Sequence, residues 1–231
     1  MEIIAEIGQN HNGDMDVARQ LIYAAKEGGA NVAKFQLYDA RRLFSREGNP
    51  WFDYNCATEL SREDVKLLSR TCSDAGIEFM SSVFDVERVA WLEDVGVKRY
   101  KLASRSVRDR VLIEAVAEAG KPVLVSLGMW DEPEFPEIPA CQVGYLYCVS
   151  KYPTPLEELH LSNVDFTQYA GFSDHSIGVS AAVAALARGA GLIEKHFTLD
   201  KSMHGPDHGG SMNPDELRAL SIFRDDFQQC L

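Results

Sequence analysis

Residues 170–198 read AGFSDHSIGVSAAVAALARGAGLIEKHFT. Two short apolar runs, 170–176 and 191–198, flank an alanine-rich helical stretch that ends in glycine just before the second run. Glycine there supplies the left-handed residue that closes a helix. Strand, helix and strand in this order imply parallel pairing through a right-handed crossover. Both runs also end in polar side chains: Ser173, Asp174 and His175 in the first, Glu194, Lys195 and His196 in the second.

The same alternation extends over the whole chain. Strand-like runs recur at IIAEIG (3–8), NVAKFQLY (31–38), IEFMSSVF (77–84), RYKLAS (99–104), PVLVSLGM (122–129) and QVGYLYCVS (142–150), which with the two above makes eight. Amphipathic stretches such as MDVARQLIYAAKEGG, SREDVKLLSRTCSDAG and VRDRVLIEAVAEAG lie between them. Eight such units close into a (β/α)8 TIM barrel, so the expected fold is α/β with one catalytic domain over 1–231. Two connections depart from the pattern. DEPEFPEIPA has three prolines and cannot form a full helix, and PTPLEELHLSNVDFTQ allows at most a short helical turn. A doubly wound open sheet is the structural alternative, but no GxGxxG follows the first strand.

Composition narrows the partners. A formal charge of −12 argues against nucleic acid, so an anionic substrate must be held by a few placed lysines and arginines. No apolar run reaches the roughly 18 residues of a membrane span, and MEIIAEIGQNHNG does not read as a secretory leader. The five cysteines, Cys56, Cys72, Cys141, Cys148 and Cys230, are scattered and lack CxxC spacing, as expected for reduced thiols in a cytoplasmic protein. Cys148 reads as a small buried hydrophobe.

In a barrel of this kind, functional side chains gather at the C-terminal strand ends. Those ends carry Glu6, Lys34, Gln36, Ser82, Lys101, Ser104, Ser126, Ser150, Tyr152, Ser173, His175, Glu194 and His196. Charges facing a closed interior are costly unless paired, metal-bound or engaged by substrate. Lys34 and Lys101 are the expected anion binders, with Ser82, Ser104, Ser126 and Ser173 adding donors, a set suited to a ligand with both phosphate and carboxylate. His175 and His196 sit at matching ends of adjacent strands and are the expected ligands of a divalent cation. Glu6 and Glu194 remain for proton transfer or hydroxyl binding, and Asp207 in the loop GPDHGG reaches the mouth from above. Lys195 should point outward and snorkel to the rim.

Taken in order, IIAEIGQNHNGD, AKFQ, FMSSVFD, YKLAS, VLVSLGM, YCVSKYPTP, GFSDHS, IEKHFT and GPDHGGSMNP resemble the sialic acid synthase (N-acetylneuraminate synthase) family over nearly the whole chain. The resemblance implies condensation of phosphoenolpyruvate with an open-chain aldose, N-acetylmannosamine or a related sugar, to a nonulosonic acid and phosphate. It implies that Lys34, Lys101, Ser104, Ser126 and Ser173, with Ser82 at a position usually threonine, hold phosphoenolpyruvate. His175 and His196 match manganese ligands, and Glu6, Gln36, Tyr152, Glu194 and Asp207 match residues near the aldose or the reacting centre. The chain departs from the family at Ser150, where asparagine is usual, and at Leu127, Lys151 and Ser106. It also stops after the last helix, where the family continues into an antifreeze-like domain that lends an arginine to the partner's site. A homodimer is therefore expected only by analogy. A metal-dependent aldolase or isomerase, and a catalytically lapsed sugar-binding barrel, are the competing expectations.

Overall fold

A computed structural model describes residues 1–140 and 142–231; Cys141 lies outside the described residues. Its eight strands are β1 (Glu2–Gly8), β2 (Val32–Leu37), β3 (Glu78–Val83), β4 (Tyr100–Leu102), β5 (Val123–Ser126), β6 (Val143–Cys148), β7 (Gly171–Asp174) and β8 (Leu192–His196). All pair in parallel with their sequence neighbours, and β8 returns to β1 to close the barrel. The expected TIM barrel is the observed fold. Seven strands fall inside the runs read from the sequence, trimmed where pairing stops, and β1 begins one residue earlier, at Glu2.

Among the described residues eight α-helices accompany the strands: α1 (Met15–Glu27), α2 (Ala40–Leu43), α3 (Phe52–Ala57), α4 (Arg62–Ala75), α5 (Val86–Asp94), α6 (Arg110–Glu118), α7 (Ser180–Ala187) and α8 (Pro214–Gln229). Their starts are written locally. Asp14, Asp85 and Asp109 each accept from backbone N–H groups of the first turn, and Ser61–Asp64 and Asn213–Glu216 form capping boxes. α4 stops at Gly76, whose φ of 68° is the left-handed closure expected there. Among the described residues the proline-rich β5–β6 connection holds no helix, and the β6–β7 connection holds only two 3-10 turns, Leu156–Glu158 and Leu161–Asn163. α2 and α3 were not expected. They lie in the long connection from β2 to α4 and build up one side of the barrel mouth.

The two-residue period of the strands sorts side chains into two cores. Ala33, Phe35 and Leu37 of β2, with Ile3, Ala5 and Ile7 of β1, face outward into the main core between barrel and helices. Inside, Ile4, Val32, Met80, Leu124, Leu146 and Leu192 form a separate apolar plug. Burying each such side chain stabilises the fold by roughly 1.5–3 kcal/mol. The inward positions one step beyond the plug are Glu6, Lys34, Ser82, Lys101, Ser126, Cys148, Ser173 and Glu194. Register ties them into one ring: Glu6 lies opposite Lys34, Ser82 opposite Lys101, Cys148 opposite Ser173 and Ser173 opposite Glu194.

Lys195 corrects one expectation. It does point outward, but it does not reach solvent. It is 1% exposed and pairs with Asp174 Oδ2 at 2.9 Å, its register partner on β7. Asp174 also accepts from Ser176 N and Oγ, so the buried pair has its hydrogen-bonding capacity largely filled.

The loops after β1 and β8 are bound to each other. Asn10 Nδ2 donates to Phe197 O at 2.8 Å and Ser211 Oγ at 2.9 Å. Asn12 Oδ1 accepts from Tyr54 OH at 2.6 Å and lies 3.0 Å from His208 Nε2, while Thr198 Oγ1 lies 2.7 Å from His208 Nδ1. The run QNHNG is thus largely a clamp that seats the 197–213 segment, and with it Asp207, over the mouth.

Candidate active site

Directly above the plug, four charged groups share one ring. Lys34 Nζ lies 2.7 Å from Glu6 Oε2, 2.9 Å from Ser82 Oγ and 3.5 Å from Glu194 Oε2. Lys101 is more loosely held: its Nζ is 3.6 Å from Glu194 Oε1 and donates to Leu102 O at 3.2 Å. Ser173 Oγ donates to Glu194 Oε1 at 2.9 Å, and Gln36 Nε2 donates to Glu6 Oε1 at 2.8 Å. Glu6, Lys34, Lys101 and Glu194 are all buried, the two lysines at 1% and 2% exposure. Two lysines against two carboxylates leave the ring electrically balanced, which is how so many buried charges persist.

Each charge responds to its surroundings. Burial works to raise the Glu194 carboxyl, but the ammonium groups of Lys101 and Lys34 and the Ser173 hydroxyl outweigh it and hold it down at about 2. Burial likewise works against charge on Lys34, yet Glu194 and Glu6 raise it above the ordinary lysine value. For Lys101 burial wins, helped by the like charge of Lys34, and its ammonium is lowered despite Glu194. Lys101 is therefore the cation with most to gain from an incoming anion. Ser126 Oγ, on the neighbouring strand, is buried without a hydrogen-bond partner.

The rim carries the imidazoles. His175 and His196 have ring centroids 6.1 Å apart, and Tyr152 packs over His175 at 4.0 Å. His175 Nδ1 lies 2.8 Å from Val149 O; a carbonyl only accepts, so Nδ1 carries the proton and Nε2 keeps its lone pair. A backbone carbonyl fixing one nitrogen is the usual outer partner of a metal-ligating histidine. His196 Nδ1 is buried and unpartnered. These two residues fit a cation whose remaining positions go to oxygen atoms of water or substrate. Among the described residues no group of three or more His, Cys, Asp and Glu side chains is arranged to hold a metal.

The ring and rim line one cavity, whose walls include Glu6, Lys34, Gln36, Ser82, Lys101, Ser104, Ser126, Tyr152, Ser173, His175, Glu194 and His196. Gly8, at φ 55°, keeps its entrance open: a Cβ there would meet Gln36 Nε2 at 3.2 Å and Glu6 Oε1 at 3.4 Å. Asp207 stands further out, in a wider cleft that shares Gln36, Tyr152 and His196 with the inner cavity. Ser150 is placed differently from the sequence expectation. It is exposed, lies beyond the end of β6, and its Oγ rests against Gly128, where a Cβ would approach to 2.5 Å; it is not among the residues lining the cavity. Cys148, by contrast, lines the cavity, with Sγ 3.7 Å from both Ser104 Oγ and His175 Nδ1. The outer cleft also holds Phe84, one residue past β3, and Phe44, Trp51 and Arg105, which the strand-end reading missed because none of the three lies on a strand.

A parallel barrel with a balanced ring of buried lysines and carboxylates, under two histidines at its C-terminal mouth, is the frame of an enzyme that handles a small anionic substrate. The chain belongs to the NeuB family, whose profile matches residues 21–225. It is 38% identical over 230 residues to an uncharacterised protein of Methanocaldococcus jannaschii, covering 94% of this chain and 68% of that one. It is 36% identical over 247 residues to the N,N'-diacetyllegionaminic acid synthase of Legionella pneumophila, covering 94% and 69%. The N-acetylneuraminic acid (sialic acid) synthetase of Leptospira borgpetersenii, solved in complex with citrate, superposes with a TM-score of 0.91 at 31% identity, over 99% of this chain and 84% of that one. A 3-deoxy-D-arabino-heptulosonate 7-phosphate synthase of Thermotoga maritima, at 13% identity and a TM-score of 0.72, shares the fold alone.

Proposed function

We propose that this protein condenses phosphoenolpyruvate with an open-chain aldose, N-acetylmannosamine-like or a related sugar, to give a 3-deoxy-ulosonic acid of the sialic acid type and inorganic phosphate. The observation that carries the reading is the convergence of Lys34, Lys101, His175 and His196 on one cavity, with hydroxyls between them. Membership of the NeuB family and the names of the relatives, which include legionaminic, sialic and pseudaminic acid synthases, support it.

Phosphoenolpyruvate lies deep, its anionic groups against Lys101, Lys34 and the hydroxyls of Ser126, Ser104 and Ser173. Charge-assisted contacts of this kind fix orientation as well as affinity. The aldose enters from the outer cleft past Gln36, Tyr152 and Asp207. C3 of phosphoenolpyruvate attacks the aldehyde carbon, whose oxygen takes up a proton to become a hydroxyl; positive charge develops at C2, water adds there with loss of a proton, and the tetrahedral centre collapses to the C2 ketone, losing its hydroxyl proton as phosphate leaves with its bridging oxygen. Glu194, held ionised by its two lysines, acts as a fixed negative charge near the developing cation and not as a proton donor. Glu6 touches both Lys34 and Gln36 and so stands between the two substrates, where it can take the proton of the adding water. His175 and His196 would hold a divalent cation, manganese on the family resemblance, whose contribution when bound is Lewis-acid polarisation of the aldehyde oxygen.

The test is a phosphate-release screen with phosphoenolpyruvate, manganese and a panel of hexosamines, hexoses and pentoses. Expected is release that requires both phosphoenolpyruvate and one class of aldose, with one ulosonic acid formed per phosphate. Release without an aldose, or none with any member, would overturn the reading.

A further inference from the structure

Arg105 is set apart by its place, in the lining of the outer cleft. Arg46, Arg62, Arg88 and Arg99 each meet a carboxylate. The Arg105 guanidinium instead donates to Leu43 O at 3.2 Å and lies over the Phe44 ring at 5.4 Å. It has no ion-pair partner among the described residues, and it is the one lysine or arginine lining the outer cleft.

Its location follows from the local chain. β4 ends at Leu102, and the 3-10 turn Ser104–Ser106 carries Ser104 into the inner cavity and Arg105 into the outer cleft. Tyr152 lines the same outer cleft as Arg105, and its ring covers His175 at the inner end. An acceptor whose aldehyde faces the histidines therefore extends along Tyr152 toward the guanidinium. Phe44 and the Leu43 carbonyl meet the guanidinium from the α2 side, and one of its five N–H donors is used in the bond to Leu43 O. A planar, pre-oriented guanidinium with free donors matches phosphate and carboxylate oxygens.

We propose that Arg105 is a specificity-determining residue of the acceptor subsite, selecting an aldose that carries an anionic group, a phosphate ester or a carboxylate, at the end remote from the aldehyde. This deepens the proposed condensation and rests on it for the direction in which the acceptor lies. The anionic end is neutralised outside the inner ring, so the balanced charges beneath it are left to phosphoenolpyruvate.

The experiment uses unreactive acceptor analogues, so that it is read by binding and not by turnover. The affinities of the full chain for N-acetylmannosaminitol, its 6-phosphate and the corresponding 6-carboxylate are measured by calorimetry, for the wild type, Arg105→Gln and Arg105→Lys. One charge-assisted pair corresponds to roughly tenfold or more in affinity. Expected is a preference of at least that size for one or both anionic analogues over the alditol, collapsing toward equality in Arg105→Gln and partly restored in Arg105→Lys. Preference for one analogue alone identifies the group. Equal affinities in the wild type, or a preference that survives Arg105→Gln, would overturn the proposal. Absence of phosphate release from phosphoenolpyruvate would instead strike at the condensation itself, and the two failures are read in different assays.

Discussion

Replacing Lys101 with methionine separates substrate binding from stability. Lys101 is buried, but its nearest carboxylate oxygen is 3.6 Å away and its one hydrogen bond, to Leu102 O, is 3.2 Å long. At an effective dielectric constant of about 20, the Coulomb attraction at that distance is roughly 4–5 kcal/mol. Much of this is offset by the cost of keeping an ammonium out of water. Glu194 is not orphaned by the change, because Ser173 Oγ at 2.9 Å and Lys34 at 3.5 Å remain. The expected loss of stability is therefore below about 2 kcal/mol, less than the roughly 3–5 kcal/mol typical of a broken buried pair. Phosphoenolpyruvate, in contrast, loses a charge-assisted contact of roughly 1.5–3 kcal/mol, a rise of roughly 10–150-fold in its KM. Continuous phosphate release at varied phosphoenolpyruvate concentration, beside thermal unfolding, reads both quantities. A Lys101→Met enzyme whose KM for phosphoenolpyruvate stays within about threefold of wild type would refute the assignment of Lys101 to the anion.

Three further outcomes follow from the same geometry. The Glu194 carboxyl is depressed from 4.5 to about 2, so the stability it confers is complete above the ordinary value and is lost as pH falls through the lower one. Acid unfolding followed by near-UV circular dichroism should lose part of its steepness between those values in Glu194→Gln, and identical curves would contradict this. Asn10→Ala removes two buried hydrogen bonds, to Phe197 O and Ser211 Oγ, and should cost roughly 1–3 kcal/mol while exposing the 197–213 segment to limited proteolysis; an unaltered digestion rate would count against the clamp. Lys195→Met leaves Asp174 buried and uncompensated, for an expected loss of roughly 3–5 kcal/mol, and adding Asp174→Asn should recover much of it. If the double variant is as unstable as the sum of the singles, the pair is not the cause.

The barrel and its charged ring were legible because both depend on period. Once a strand is placed, the two-residue alternation decides which side chains face inward, and Lys34, Gln36, Ser82, Lys101, Glu194 and His196 all follow from it. The same rule fails where the strand stops. β6 ends at Cys148, so the inward parity that would aim Ser150 at the cavity no longer applies two residues later. Alternation also says which way Lys195 points but not what it meets; its partner Asp174 became visible only through the β7–β8 register. Arg105, Phe44 and Trp51 were silent for a different reason. They reach the outer cleft from a 3-10 turn and from the chain around α2 and α3, where no repeating geometry links sequence position to direction.

In the proposed condensation two lysines and two histidines from the ends of four strands, far apart in the chain, serve one reaction in one cavity. A crystal structure with manganese and phosphoenolpyruvate, phased on the manganese anomalous signal, tests it most directly. The expected result is a metal peak bonded to both His175 and His196, with phosphoenolpyruvate in the same cavity against Lys34 and Lys101. Metal bound away from the two imidazoles, or phosphoenolpyruvate bound outside the barrel mouth, would contradict it.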